Sequence, residues 1–413
     1  MRPLPPLRRA LLGLARPVPP RARAFASSAT GAAIGLIASV AKPVGVGYAL
    51  TVAIALAAQR KLQYFPATDM PPHPRLYDAT AYSDVEEHEL VAPDGTRLHI
   101  WHWPAPESGA QPQAWPFMGD KMQAALLPLM RELRASHPGL RNLDVLQFHG
   151  NAGSRQHRLP FMHLLREGLG CSVTLLDYRG YGGSDGSPTE RGLLQDGAAA
   201  YDWLRQRQQA DTPPTGLRAS SDQRRRPVLW GESIGSGVAV GLLTDAARLP
   251  TSKGSDSRAG GGGGGGTQAR EEGKDTAVSI DGAILVLEAG FTSCVDLGAS
   301  AYPWLPVRLG MLDRFESKAR AAAMQRRGGR GVPLLSLHGT LDDIAPIALG
   351  RELFDALPSP RKRFVELDDT GHNDVPYRDP ARYLREVAAF LSEEVSSTRT
   401  GEEGEGKGTC QES

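Results

Sequence analysis

Val228-Leu229-Trp230-Gly231-Glu232-Ser233-Ile234-Gly235-Ser236-Gly237 is an apolar run that enters a Gly-x-Ser-x-Gly turn and leaves it through small residues. It reads as a nucleophile elbow, in which a strand ends in a sharp turn with the serine at its apex and a helix starts at once. Such a turn lifts the serine hydroxyl clear of the backbone and leaves the next amide free to meet an oxyanion. The glycines have a mechanical reason. The turn is strained, and a side chain in place of Gly231 or Gly235 would strike the neighbouring strand and helix.

Five residues alone are a weak signal, and Gly182-Gly183-Ser184-Asp185-Gly186 fits the same pattern. Context separates the two. Ser184 is followed by Ser187-Pro188-Thr189-Glu190, a loop ending in a helix start with Ser187 as N-cap and Glu190 closing a capping box. Only Ser233 has an apolar strand directly before it and a helix-compatible run, Val238 to Ala247, directly after.

Working outward, strand and helix patterns alternate: Asp144 to Phe148, Arg158 to Leu169, Cys171 to Leu176, the helix to about Arg205, then the elbow, Ala283 to Leu287, Leu334 to Leu337 and Phe364 to Leu367. Alternation of this kind gives an α/β fold, a mostly parallel central sheet with helices on both faces. Upstream, Asp94-Gly95 between apolar runs predicts a two-residue hairpin turn, so antiparallel strands open the sheet. A helix after Asp379-Pro380, with Tyr383, Val387, Phe390 and Leu391 on one face, closes it. The expected α/β body spans residues 84–393, after a Pro-rich linker from Phe65 to Pro74. It carries two insertions. Residues 111–140 are helical, with Pro128 inside, and read first as an amphipathic surface helix packed on the core and, in the sharper reading, as a lid or membrane-contacting element. Residues 251–275, with seven consecutive glycines from Gly260 to Gly266, hold too little apolar surface to offset ordering entropy and are expected to be disordered. The tail 394–413 is acidic, polar and expected to be loose.

A serine hydroxyl needs a base to take its proton, and the base needs a carboxylate to fix its tautomer. The order expected after such an elbow is serine, acid, histidine. His372, in Thr370-Gly371-His372-Asn373-Asp374, follows the strand Phe364 to Leu367 and so lies at a carboxyl strand edge, where parallel sheets gather their sites. Asp342 and Asp343 compete for the acid after Leu334 to Leu337, and Asp342 is chosen, with Glu288 in reserve; Asp374 reads as a loop residue. His149-Gly150-Asn151-Ala152-Gly153 follows another strand and is expected to supply the second half of an oxyanion hole, the donors being the backbone amides of Asn151 and Ile234.

Composition excludes several classes. A net charge of +1 argues against a nucleic-acid partner, which draws a basic stripe. Three scattered cysteines, Cys171, Cys294 and Cys410, make neither a disulfide framework nor a Cys-rich metal site, and no metal or cofactor is expected. The N-terminus stands apart. No acid precedes Asp69, while Arg2, Arg8, Arg9, Arg16, Arg21 and Arg23 precede an apolar stretch. Residues 1–30 are a basic tail or targeting segment and 31–60 a membrane anchor, with a cleaved targeting peptide or a buried helix as the alternatives. Val44 to Ala58 alone would cover only about 22 Å as a helix, so spanning requires the chain to continue through Lys42-Pro43. The arginine excess before the span favours a cytosolic tail and a body on the far side, in the endomembrane system or plasma membrane; the same start also fits a mitochondrial address.

At these residues the chain resembles serine hydrolases of the α/β-hydrolase fold, in the membrane-anchored subfamily related to the fungal bud-emergence hydrolase. The likeness rests on His149-Gly150-Asn151-Ala152-Gly153 with His157-Arg158-Leu159-Pro160, Asp177-Tyr178-Arg179-Gly180-Tyr181-Gly182, and Gly231-Glu232-Ser233-Ile234-Gly235. It continues through Glu288 with Phe291-Thr292-Ser293, His338-Gly339-Thr340-Leu341-Asp342 and Gly371-His372-Asn373-Asp374. The resemblance implies Ser233 as nucleophile, Asp342 as acid, His372 as base and an N-terminal anchor. The insertions at 111–140 and 251–275 have no counterpart in that pattern. The reading that results is a membrane-anchored serine hydrolase cleaving a small-molecule or lipid-like acyl ester or thioester through an acyl-enzyme. Its rival is a non-catalytic membrane scaffold on the same fold, acting in cell polarity or membrane organisation; a binding module has no need of the serine, acid and histidine together.

Overall fold

The computed structural model of the chain describes residues 20–114, 119–210, 225–245, 280 and 282–405. The Gly-rich stretch 251–275 and the first nineteen residues lie outside these, as do 115–118 and 406–413. The chain divides into two units, Met1–Ala58 and Gln59–Ser413.

The first unit holds most of helix α1, Pro20–Gln63, which continues through Pro43. Its portion Ala41–Gln63, 23 residues, is by length and composition able to cross a membrane. At helical rise it covers about 34 Å, against a hydrocarbon core of roughly 30 Å. Val44, Val46, Leu50 and Ile54 on it are exposed.

The second unit is built on eight strands: β1 Glu86–Val91, β2 Arg97–Trp103, β3 Leu143–Phe148, β4 Ser172–Asp177, β5 Arg226–Glu232, β6 Ile284–Glu288, β7 Leu334–Gly339 and β8 Lys362–Leu367. They lie in the order β1-β2-β4-β3-β5-β6-β7-β8. β1 and β2 pair antiparallel, β2 meets β4 antiparallel, and every later pairing is parallel. The expected α/β sheet opened by a hairpin is therefore present. The hairpin turn is wider than two residues: Ala92 and Thr96 still pair, and Pro93, Asp94 and Gly95 make the bend. Asp94 supports it by accepting the Thr96 amide at 3.2 Å.

Strands β3 to β7 are buried along nearly their whole length because both faces are covered. Leu143, Val145, Val228 and Trp230 face helices α2 (Asp120–Ser136), α3 (Leu159–Leu169) and α10 (Pro380–Glu405) in one core. Leu146, Phe148, Leu229 and Leu285 face α4 (Glu190–Ala210), α5 (Ile234–Asp245), α8 (Ser317–Arg326) and α9 (Ile347–Ala356) in the other. Two short helices, α6 (Cys294–Ala301) and α7 (Val307–Gly310), lie between β6 and α8.

Three sequence expectations change, and one pair of alternatives is resolved in favour of the packed helix. The segment from Phe65 is no loose linker: Phe65–Pro66 pairs in parallel with Ala152–Gly153, and Tyr64 and Tyr82 are buried, so the compact body begins at Gln59 rather than at residue 84. The insertion at 111–140 packs α2 onto α3 and α10 through Leu126, Leu129, Met130 and Leu133, all buried. A lid would leave that stripe uncovered. Helix α4 starts at Glu190 with Thr189, not Ser187, accepting the Gly192 amide at 3.0 Å; the Glu190 carboxylate instead accepts the Arg314 amide at 2.7 Å. Finally, α10 runs on to Glu405 rather than fraying near Glu394. Glu394 is itself buried, paired with Arg361 at 3.1 Å, while its carbonyl accepts Arg226 Nη1 at 2.7 Å, so the next turn is tied to the body.

If the 111–140 helix is part of the core, Leu133→Ala leaves a cavity and costs roughly 2–4 kcal/mol. Chemical denaturation of the full chain in detergent checks this; a change within about 0.5 kcal/mol, the range of surface substitutions, contradicts it.

Candidate active site

Ser233 sits between the last residue of β5 and the first of α5, and its φ of +52° is in the left-handed region that side chains avoid. The turn keeps that conformation because its surroundings leave no alternative. A Cβ on Gly235 would lie 1.9 Å from the Phe148 carbonyl oxygen, and one on Gly231 would lie 2.6 Å from Ser236 Cα. The first turn of α5 is thus pressed against the end of β3. The Ser233 amide donates to the Glu288 carbonyl at 2.9 Å, and Ser236 Oγ donates to the Ser233 carbonyl at 2.5 Å.

His372 Nε2 lies 2.9 Å from Ser233 Oγ and His372 Nδ1 2.8 Å from Asp342 Oδ2. With Nδ1–H donated to the carboxylate, Nε2 is left to accept from the serine hydroxyl. The second Asp342 oxygen accepts the amides of Ala345 at 2.7 Å and Ile344 at 3.1 Å, and His338 Nε2 lies 3.3 Å from Oδ2 while donating to the Ala345 carbonyl at 2.8 Å. Burial alone would raise the Asp342 carboxyl, but the hydrogen bonds from His338, His372 and the Ala345 amide outweigh it and hold it well below the usual carboxylate range. The other candidate acids go elsewhere. Asp343 is exposed, Asp374 has no bond to His372, and the Glu288 carboxylate accepts from the Tyr383 hydroxyl deep in the core. Ser184 is buried, donating to the Asp177 carbonyl at 3.0 Å and accepting the His99 amide at 3.0 Å, a structural role.

The loop after β3 lies against the elbow. Gly235 lies against the carbonyls of Phe148 and His149. The Asn151 carbonyl accepts from the Phe65 amide and the Tyr181 hydroxyl, both at 2.9 Å, and its side chain donates to the Gln63 carbonyl at 3.1 Å. Its backbone amide has no partner among the described residues, and Ile234, first in α5, carries one of the amides a helix start leaves open. His149 Nδ1 donates to the Gly150 carbonyl at 2.7 Å; burial pushes this imidazole down to about 3, so it is neutral. Two carboxylates paired across β5 and β6, Glu232 and Glu288, are in opposite states. Burial would raise Glu232, but the Arg158 charge and hydrogen bonds overcome it and lower it; Glu288 is pushed up to about 8 by burial, which the Tyr383 hydroxyl and the Arg158 charge do not offset. Among the described residues no group of three or more His, Cys, Asp or Glu side chains could hold a metal.

The structure therefore brings Ser233, His372 and Asp342 into one hydrogen-bonded chain and sets the loop of Asn151 beside Ile234. Sequence reasoning missed the contact of His338 with Asp342 and the bidentate pairing of Arg158 with Glu232. Both residues lie within the quoted motifs, but spacing alone says nothing about which atoms meet across 74 residues of chain.

No family model matches the chain. An uncharacterized protein of Mycobacterium tuberculosis is 32% identical over 335 residues, 81% of this chain and 88% of that one. The protein bem46 of Schizosaccharomyces pombe is 28% identical over 272 residues, 66% of this chain and 73% of its own length. A lysophosphatidylserine lipase, ABHD12 of Danio rerio, is 30% identical over 228 residues, 54% of this chain but only 48% of that protein.

The raised Glu288 has a consequence for stability. A carboxyl whose folded-state value is about 8 binds a proton on folding above its ordinary 4.5, so its contribution is full below 4.5 and is lost as pH rises through 8. Melting temperature should fall from pH 5 to pH 8, and Glu288→Gln, neutral at every pH, should flatten that slope. Parallel slopes for the two proteins would show that Glu288 is ionised.

Proposed function

Because this chain belongs to the α/β-hydrolase family of the bem46 protein and is a hydrolase, we propose that it is a membrane-anchored serine hydrolase of acyl esters or thioesters. The observation that carries the proposal is the continuous chain Ser233 Oγ, His372 Nε2, His372 Nδ1, Asp342 Oδ2, with steps of 2.9 and 2.8 Å. In this reading Ser233 Oγ attacks the acyl carbonyl while His372 Nε2 takes its proton. The carbonyl oxygen becomes negative and is met by the open amides of Asn151 and Ile234. His372 then gives the proton to the departing alcohol or thiol, leaving an acyl-enzyme. Water repeats the sequence, and the carboxylic acid departs. Asp342, held ionised, keeps the imidazole in the required tautomer and balances its transient positive charge. No cofactor enters these steps.

A lipid-like acyl group and a bilayer setting are supported by three features. One is the apolar helix portion Ala41–Gln63. Another is the exposed apolar set Tyr302, Trp304, Leu309 and Leu312. Within the second unit, Leu312 and Asp313 hold its first residues: Arg60 pairs with Asp313 at 2.8 Å, the Leu312 amide donates to Gln59 Oε1 at 2.7 Å, and Gln63 Nε2 donates to the Asp313 carbonyl at 2.9 Å. The third is the lipase name of the ABHD12 relative. With the basic tail on the cytosolic side, the body stands on the opposite face of an endomembrane or plasma membrane.

A fluorophosphonate probe should label the wild type and not Ser233→Ala, and hydrolysis of a panel of p-nitrophenyl esters and acyl thioesters should fall on the order of a thousandfold or more in Ser233→Ala and Asp342→Asn. Equal labelling of folded Ser233→Ala would refute the assignment. For the anchor, alkaline carbonate should leave the full chain in the membrane pellet; release into the supernatant excludes a spanning helix.

A further inference from the structure

The two halves of the oxyanion hole come from elements far apart in sequence, and one side chain bridges them. Arg158, at the start of α3, donates Nε to Glu232 Oε2 at 2.9 Å and Nη2 to Oε1 at 2.6 Å, a bidentate fork. Its remaining terminal nitrogen, Nη1, donates to the Ala152 carbonyl at 3.1 Å. Glu232 is the residue before Ser233, and Ala152 the residue after Asn151. The guanidinium is thus bonded on one side to the elbow and on the other to the loop.

The surroundings leave the pair little room to move. Gln147 Nε2, on β3, donates to Glu232 Oε2 at 3.2 Å. A Cβ on Gly150 would meet Glu232 Oε1 at 2.9 Å and Arg158 Nη2 at 3.2 Å, and one on Gly153 would meet Arg158 Nη1 at 3.3 Å. The loop backbone at Gly150 therefore lies directly on the ion pair, while Gly153, at a φ of +86°, makes the turn beside His157 and Arg158. From the other side, the Phe65 amide and the Tyr181 hydroxyl hold the Asn151 carbonyl. The backbone amide of Asn151 has no hydrogen-bond partner among the described residues.

From this geometry we propose that the Arg158–Glu232 pair is a positioning unit that sets the distance between the Asn151 and Ile234 amides, so that both donors reach one oxyanion. The inference rests on the serine-hydrolase reading above. Its physical basis is twofold. The planar fork fixes angle as well as distance, which an ammonium cannot do. Pairing also cancels the Glu232 charge beside a site where negative charge develops, and an unpaired carboxylate there would oppose that development.

The test compares Arg158→Gln, Arg158→Lys, Glu232→Gln and the double variant Arg158→Gln/Glu232→Gln in the full-length protein. Removing a hole donor costs on the order of a hundredfold, and a displaced donor should cost ten- to a hundredfold. The loss should fall on kcat with KM nearly unchanged. Inhibition by a trifluoromethyl ketone, which forms a tetrahedral oxyanion on the serine, should weaken by the same factor; Arg158→Gln, which leaves Glu232 without its cation, should also lower the melting temperature, whereas the double variant should melt close to wild type. Arg158→Lys should recover less than half of the loss on a logarithmic scale, and the double variant should be more active than Arg158→Gln alone because no bare carboxylate remains. Losses that track melting temperature or KM, an unaltered ketone affinity, or full recovery by lysine would overturn the proposal. An active Ser233→Ala would instead overturn the functional reading beneath it; an inactive Ser233→Ala beside a fully active Arg158→Gln would remove only this inference.

Discussion

The contact on which the site depends is the approach of the first turn of α5 to the end of β3, where a Cβ on Gly235 would stand 1.9 Å from the Phe148 carbonyl oxygen. No side chain fits there. Because the helix comes so close, the connection from β5 has to turn within a single residue, and Ser233 takes a φ of +52° to do it. The same approach sets the start of α5 against the loop that follows β3, so that the open amide of Ile234 and that of Asn151 share a region. Strain at one residue and two glycines thus organise elements separated by some eighty positions in the chain.

Around that turn, charge is arranged by partner rather than by residue type. Glu232, Glu288 and Asp342 all lie at the carboxyl ends of neighbouring strands or just beyond them. Glu232 is kept ionised by a guanidinium, Asp342 by two histidines and two amides, and Glu288, where the Tyr383 hydroxyl does not offset burial, is driven toward its neutral form. Three carboxylates within one sheet edge could not all be ionised and unpaired without severe desolvation and mutual repulsion. The arrangement leaves one free to act on an imidazole, one neutralised by its cation, and one protonated.

Much of this was legible in the chain. The elbow announced itself through an apolar strand, two glycines and a helix-compatible run, and the alternation of strand and helix patterns gave the parallel sheet and the edge on which Asp342 and His372 fall. The burial pattern agrees because period and apolarity are local properties, readable over five to fifteen residues. The misses have a shared cause. Phe65 and Pro66 read as linker because two residues carry no period, and they become a strand only when Ala152 and Gly153 come alongside. Thr189 replaced Ser187 as cap because Glu190 was drawn to Arg314, more than a hundred residues away. The helix α2, by contrast, is packed on the core as first read, because α3 and α10 cover its Leu126, Leu129, Met130 and Leu133.

By itself the sequence determined the α/β architecture and the residue types set at its strand ends, since backbone conformation and hydrophobic period are written in neighbouring residues. Tertiary structure alone decided that the Arg158 guanidinium joins elbow to loop, and which of two registered glutamates is pushed toward its neutral form. Those outcomes depend on distances of a few ångströms between segments far apart in the chain and on the water excluded when they meet.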